Sequence, residues 1–226
     1  MAASANILGM SISRNAFLLA AFAIVSTGFV SATFLSTKDI IAAQERLARE
    51  KALLDIVPQS RHNNSMLDDT TEVKDQDLLG YTQPRQAFIA KLDGKPIAII
   101  LPAVAPDGYG GKIELIVGIN IDGSIAGVRT LTHSETPGLG DNVEIGKSSW
   151  ILSFNGKSLS NPSKDLWKVK KDKGVFDQFT GATITPRAVT KAIFKSLQYF
   201  QMYKDTLLTP PTSTTPVAII ERTHHD

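Results

Sequence analysis

Hydrophobic and polar positions divide this chain into two regimes. Ala16 to Leu35 reads AFLLAAFAIVSTGFVSATFL, 20 residues without a charge or a proline. At ~1.5 Å of rise per residue that run makes about 30 Å of helix, enough to cross the hydrocarbon core of a bilayer. Ser26, Thr27, Ser31 and Thr33 fall inside it, and within a helix such hydroxyls bond back to the preceding turn. Arg14 precedes the run, and Lys38 and Asp39 follow it. The asymmetry is small and places residues 1–15 on the cytoplasmic side of a single span over 16–35. Two other readings compete with an uncleaved anchor. One is a cleaved signal cut after Val30-Ser31-Ala32, for which the apolar core is long. The other is a buried helix of a soluble domain.

After the span the pattern turns amphipathic and then alternating. Ser36 with Asp39 reads as a capping box opening a membrane-proximal helix within residues 36–58. Leu47 and Leu54 supply its apolar side, Glu45, Arg46, Arg49, Glu50 and Lys51 its wet side, and Val57-Pro58 its end. The same residues also read as a plain continuation of the span. Residues 61–80 are polar and predict irregular chain. Ala87–Ala90 and Pro96–Leu101 flank Asp93-Gly94, and Lys112–Asn120 and Ile125–Leu131 flank Asp122-Gly123. Apolar runs around an Asp-Gly pair predict two β-hairpins. Between them lies Pro106-Asp107-Gly108-Tyr109-Gly110-Gly111, whose glycines permit close backbone approach to a ligand. A helix is predicted from Pro186 to about Met202, with Thr185 as its cap and Val189, Ala192, Ile193, Leu197 and Phe200 as its apolar side. The expected fold class is therefore α+β: a single N-terminal transmembrane helix, then one soluble domain over 59–206 with a mainly antiparallel sheet and packed helices. Residues 207–226 are rich in Thr and Pro up to Pro216 and predict a tail without a core of its own.

Composition narrows the chemistry. The chain has 226 residues, a formal net charge of +2 and no cysteine. Disulfides, thiolate metal sites and thiol catalysis are excluded. Neither the net charge nor the motifs point to nucleic acid. His133 has no neighbouring histidine with metal-ligand spacing and reads as a hydrogen-bonding residue. His224 and His225 sit at the end of the tail and read as solvated, so no metal site is expected. Trp150 and Trp167 read as core residues that could alternatively stack on a ring.

Two short runs remain. Ser134-Glu135-Thr136-Pro137-Gly138-Leu139-Gly140 follows the last predicted strand, a common place for a binding loop. Asp177-Gln178-Phe179-Thr180-Gly181-Ala182-Thr183 lies just before the late helix. The N–H groups and dipole at a helix start favour a phosphate, and Gly181 and Ala182 leave room beside it. On residue types alone, however, a small-residue turn before a helix cap is the better reading of this string.

With the span, these two runs resemble the RnfG/RsxG subunit family of Rnf electron-transport complexes, related to NqrC of the sodium-pumping NADH:quinone oxidoreductase. The last run fits an Asp-x-x-Ser/Thr-Gly-Ala-Thr pattern, and the resemblance spans nearly the whole chain in order. It implies a membrane-anchored redox carrier with FMN joined covalently to Thr183 through the flavin phosphate. A separate flavin transferase, using FAD and a divalent metal, would install it. Asp177, Thr180, Gly181 and Ala182 would belong to the attachment motif, and Glu135, Thr136 and Leu139 would lie beside the flavin. The resemblance further implies a bacterial inner membrane, a periplasmic domain, and partners among the other membrane and redox subunits of an Rnf-type complex. Such a subunit relays electrons and is not an enzyme by itself. The rival expectation is a membrane-anchored scaffold or binding domain of an envelope complex, without cofactor.

Overall fold

The computed structural model describes residues 2–208. They form two compact units, divided between Arg49 and Glu50.

The first unit is the greater part of helix α1 (Ala2–Leu54), a single uninterrupted α-helix. The capping box expected at Ser36 does not form. Ser36 donates its hydroxyl to the Ala32 carbonyl, and Thr37 donates to the Thr33 carbonyl at 2.9 Å. These back-bonds satisfy the hydroxyls inside a continuous helix, so nothing frees the backbone to start a new one. Thr33 bonds the Phe29 carbonyl in the same way, at 2.9 Å. Phe17, Leu19, Phe22, Ile24, Val25 and Phe29 are all exposed on this helix. Large apolar side chains on every side of one helix call for a lipid solvent, and from Arg14 onward the segment is long and apolar enough to cross a membrane.

The second unit is built on a five-stranded antiparallel meander in the order β1-β2-β3-β4-β5. The strands are β1 (Thr70–Asp75), β2 (Tyr81–Leu92), β3 (Lys95–Gly108), β4 (Gly111–Asn120) and β5 (Ile125–Thr132). The two expected hairpins are β2–β3 and β4–β5. The glycine-rich loop at 106–111 shrinks to a tight reversal, because β3 and β4 run on through it until Gly108 pairs with Gly111. β1 is a correction to the irregular stretch expected at 61–80. Only Val73 of that strand is buried, and the register of Thr70 with Phe88 holds it on the sheet. One apolar position is too short an alternation to announce a strand.

The sheet is covered on both faces. On one side Ile99, Leu101 and Ala103 of β3 alternate with Leu115 and Val117 of β4 to meet helix α2 (Ile184–Leu208) and the aromatic residues Trp150, Phe154, Trp167 and Phe176. Phe154 and Phe176 stack at 4.3 Å between ring centroids, and both tryptophans are core residues. On the other side Ala90, Ala98, Ile100 and Ile116 receive Leu53, Ile56, Val57 and Met66. Ile56 seats over Gly118 and Gly127, which face each other across β4 and β5. A Cβ at Gly118 would overlap Ile56 Cγ2. The end of α1 and the three residues after it thus belong to the domain's own packing.

Candidate functional site

The site is set by where α2 begins. Phe179 to Ala182 form a four-residue turn closed by the Ala182 N–H on the Phe179 carbonyl at 3.2 Å. Gly181 takes φ +80° at its third position, where a type II turn requires a residue tolerant of the left-handed region. Phe179 pins the turn from below, buried edge-on against Trp150 at 5.0 Å. Thr183 follows directly. Its carbonyl accepts from Arg187 N–H at 3.4 Å, so Thr183, and not Thr185, is the residue at the helix cap. The helix therefore starts two positions earlier than the Thr185-Pro186 pair predicts. Pro186 is tolerated because the first-turn N–H groups have no intrahelical partner anyway.

Thr185 is buried and has a different task. It donates its hydroxyl to Glu135, whose other carboxylate oxygen accepts the Gly110 N–H at 2.9 Å. The Glu135 N–H in turn donates to His133 Nδ1 at 3.1 Å, which leaves the ring proton on Nε2, 2.7 Å from Glu144 Oε1. Glu135 is only 5% exposed. This buried carboxylate ties three elements together: the β3–β4 reversal, the loop after β5 and the start of α2. Gly140 is packed against it so closely that a Cβ there would lie 2.8 Å from Glu135 Oε2.

These elements enclose an open cavity of about 280 Å³. Glu135, Thr136, Leu139, Gly181, Ala182 and Thr183 line it, together with Tyr109, Gly140, Ile184 and Thr185. Two runs about 45 residues apart in sequence thus share one cleft. Thr180 and Asp177 are exposed and do not line it. Asp177 pairs with Lys170 at 2.6 Å, and its carbonyl accepts from Trp150 Nε1 at 2.8 Å. Tyr109, Gly140, Ile184 and Thr185 are wall residues that the sequence left unassigned to the site, and Tyr109 is the largest of them. Its signal was its place in the glycine-rich loop, and it is 69% exposed at the cavity mouth beside half-exposed Leu139 and Ile184.

Electrostatically, the cleft combines a helix start with a carboxylate already bonded there. In the first turn of α2, Arg187 pairs with Asp172, bidentate at 2.6 Å. That guanidinium holds the Asp172 carboxyl below its usual range. Among the described residues, no cluster of His, Asp and Glu has the geometry of a metal site.

The sequence comparisons give this geometry its family. Residues 108–198 match the FMN-binding domain family, a stretch that contains the whole cleft, and residues 1–56 match the RnfG N-terminal region. The chain is 48% identical over 200 residues to the G subunit of the ion-translocating oxidoreductase complex of Pseudomonas aeruginosa (strain UCBPP-PA14), covering 88% of this chain and 94% of that one. The chain belongs to the family of these G subunits. The Vibrio atlanticus (strain LGP32) member is 47% identical over 201 residues, covering 89% and 96% of the two chains. Among solved structures, NqrC of Shewanella oneidensis aligns with 25% identity and a TM-score of 0.44 over 68% of this chain and 75% of that one.

The cavity fits part of a flavin. Its volume lies just under the ~300–1,000 Å³ common for small-molecule sites. The cleft is open, with Tyr109, Leu139 and Ile184 offering apolar surface where a ring would emerge. Thr183 lies at the N-terminal end of α2, where unpaired N–H groups favour an anion.

Proposed function

We propose that this chain is the membrane-anchored electron-transfer subunit of an ion-translocating oxidoreductase complex and carries FMN as a phosphoester on Thr183. The observation that carries the reading is the position of Thr183: at the cap of α2, on the wall of a cleft whose opposite wall is the 135–140 loop. In the attachment step the Thr183 hydroxyl oxygen bonds to the FMN phosphorus of FAD, and AMP leaves as the pyrophosphate bond breaks. The hydroxyl proton goes to a base of the flavin transferase, whose divalent metal activates the phosphate. Glu135 is a poor base for that role, since both of its oxygens are engaged by Gly110 and Thr185.

When bound, FMN supplies electron exchange in single or paired steps. The protein's part is to hold and orient. Thr183 fixes one end of the group, and Gly181 leaves space in front of Leu139, whose Cδ2 a Cβ would meet at 3.4 Å. Tyr109 offers a ring face at the opening. Asp177, Gln178, Thr180 and Gly181 are exposed and remain accessible to a modifying enzyme. With α1 as a single span and Arg14 on its N-terminal side, the domain lies outside a bacterial inner membrane, facing the periplasm. Its working partners are the membrane and redox subunits of the same complex.

The test is the Thr183→Ala variant, expressed in membranes of a host with a competent transferase. Flavin fluorescence in a denaturing gel is expected to vanish, while the domain's circular dichroism stays unchanged. Peptide mapping of the unsubstituted chain is expected to place the added mass of FMN on the peptide containing Thr183. An unmodified peptide there, or fluorescence surviving in the variant, rejects the assignment.

A further inference from the structure

The loop that leads into the attachment turn carries a concentration of charge that the redox site does not use. Residues 164–173 hold five lysines, Lys164, Lys168, Lys170, Lys171 and Lys173, against Asp165 and Asp172. The rest of residues 50–208 holds 14 basic and 16 acidic side chains. A domain that is otherwise slightly acidic therefore has one strongly basic face. All five lysines are exposed. Of these five, Lys170 pairs with Asp177, and the charges of Lys168 and Lys171 act on Asp172, whose carboxyl they help hold low.

Two further observations separate this face from an ordinary solvated run. First, it has an apolar centre. Leu166 and Val175 are 39% and 38% exposed and adjoin, the Val175 N–H donating to the Leu166 carbonyl at 3.1 Å. Lys168 joins the same backbone weave, since its carbonyl accepts from Phe176 N–H at 3.2 Å. Second, the face is fastened to the attachment run at two points and to the first turn of α2 at a third. Lys170 pairs with Asp177, the Lys171 N–H donates to Gln178 Oε1 at 3.1 Å, and Asp172 takes both bonds of Arg187 one turn beyond Thr183. A small apolar centre with a charged rim, adjoining a redox site, is the make-up of a weak, reversible protein contact in which charge sets orientation and rate more than affinity.

We propose that the Lys164–Lys173 face, centred on Leu166 and Val175, is the docking surface for an acidic protein surface that exchanges electrons with the group on Thr183. The redox part of this statement rests on the function proposed above. The docking part stands on the charge and exposure of the loop alone. An anionic lipid surface and a second copy of this chain are the other occupants, and the test separates them.

A photo-crosslinking amino acid replaces Leu166 in the full chain, in native membranes that contain the assembled complex. The expected product is an adduct with another subunit or redox protein, through a peptide rich in Asp and Glu. That adduct is expected to fall about tenfold when Lys164→Glu and Lys168→Glu are added, and similarly when salt is raised until exposed charges are screened. In the same double variant, in-gel flavin fluorescence is expected to be unchanged while flavin reduction slows about tenfold at low salt. No adduct, adducts with lipid alone, an adduct between two copies of this chain, or a protein adduct indifferent to charge reversal and salt each overturn the proposal. Absence of in-gel fluorescence in the unsubstituted chain would instead overturn the flavin assignment, and the crosslinking result would still be read by itself.

Discussion

At the scale of single residues, Glu135 carries the heaviest structural duty in the cleft. A buried carboxylate is retained only where its oxygens are bonded, and here a backbone N–H and a threonine hydroxyl supply both bonds. Glu135→Gln keeps an oxygen for Gly110 and an amide for the Thr185 oxygen, so the cost should be under about 1 kcal/mol. Glu135→Ala leaves the buried Thr185 hydroxyl without its acceptor, frees the Gly110 N–H and opens space beside Gly140. Its expected cost is about 3 kcal/mol or more. Thermal or urea unfolding of the two variants checks this, and equal destabilisation would remove Glu135 from its tying role. The residue types of the cleft were legible in the sequence as two runs. That the runs share one site followed only from the family resemblance, because residue pattern says nothing of a meeting made by β4 and β5 and by where α2 starts. Thr185 misled for a related reason. Its hydroxyl and the following proline fit a cap in sequence, but burial beside a carboxylate turned the hydroxyl inward and moved the cap to Thr183.

At the scale of elements, α2 couples the cleft to the far edge of the sheet. Its buried stripe runs from Ala188 through Ile193 and Leu197 to Leu207, the period-3.6 pattern that made this helix readable from sequence. Tyr199 belongs to the same helix and is buried. Burial, helped by the Asp75 carboxylate, pushes its phenol up to about 12. A folded-state value above the ordinary one of about 10 means that the neutral phenol stabilises the fold fully below pH ~10. That contribution is lost as pH rises toward about 12, and its limit is about 2–3 kcal/mol. The midpoint of thermal unfolding should therefore fall between those pH values, and Tyr199→Phe should flatten the decline. An unchanged slope in the variant would show that another group is responsible. The hairpins were legible because each strand pair alternates around an Asp-Gly turn. β1 and the short turns at 140–143 and 149–154 were not. Their few apolar positions gain meaning only from the aromatic cluster and the sheet they pack against, which lie far away in sequence.

At the scale of the whole chain, the boundary between anchor and domain is not where hydropathy changes. The apolar run ends at Leu35, yet the helix continues to Leu54, and the domain's own packing takes in Leu53, Ile56 and Val57. All three are buried, at 2%, 3% and 0% exposure. Burying such side chains is worth about 1.5–3 kcal/mol each, so together they supply roughly 5–9 kcal/mol. That sum is comparable to the ~5–15 kcal/mol net stability of an ordinary domain. Two truncations therefore separate anchoring from folding. A chain begun at Glu50 loses the apolar helix and keeps all three plugs, so it should leave the membrane fraction and unfold in one cooperative transition. A chain begun at Pro58 also loses the plug over Gly118 and Gly127 and exposes Ala98, Ile100 and Ile116 on the sheet. It should aggregate or show no cooperative transition, and urea unfolding with sedimentation of both chains is the measurement. If the shorter chain were as stable as the longer one, the seat of Ile56 would contribute nothing to the fold, and the segment after α1 would be a passive tether.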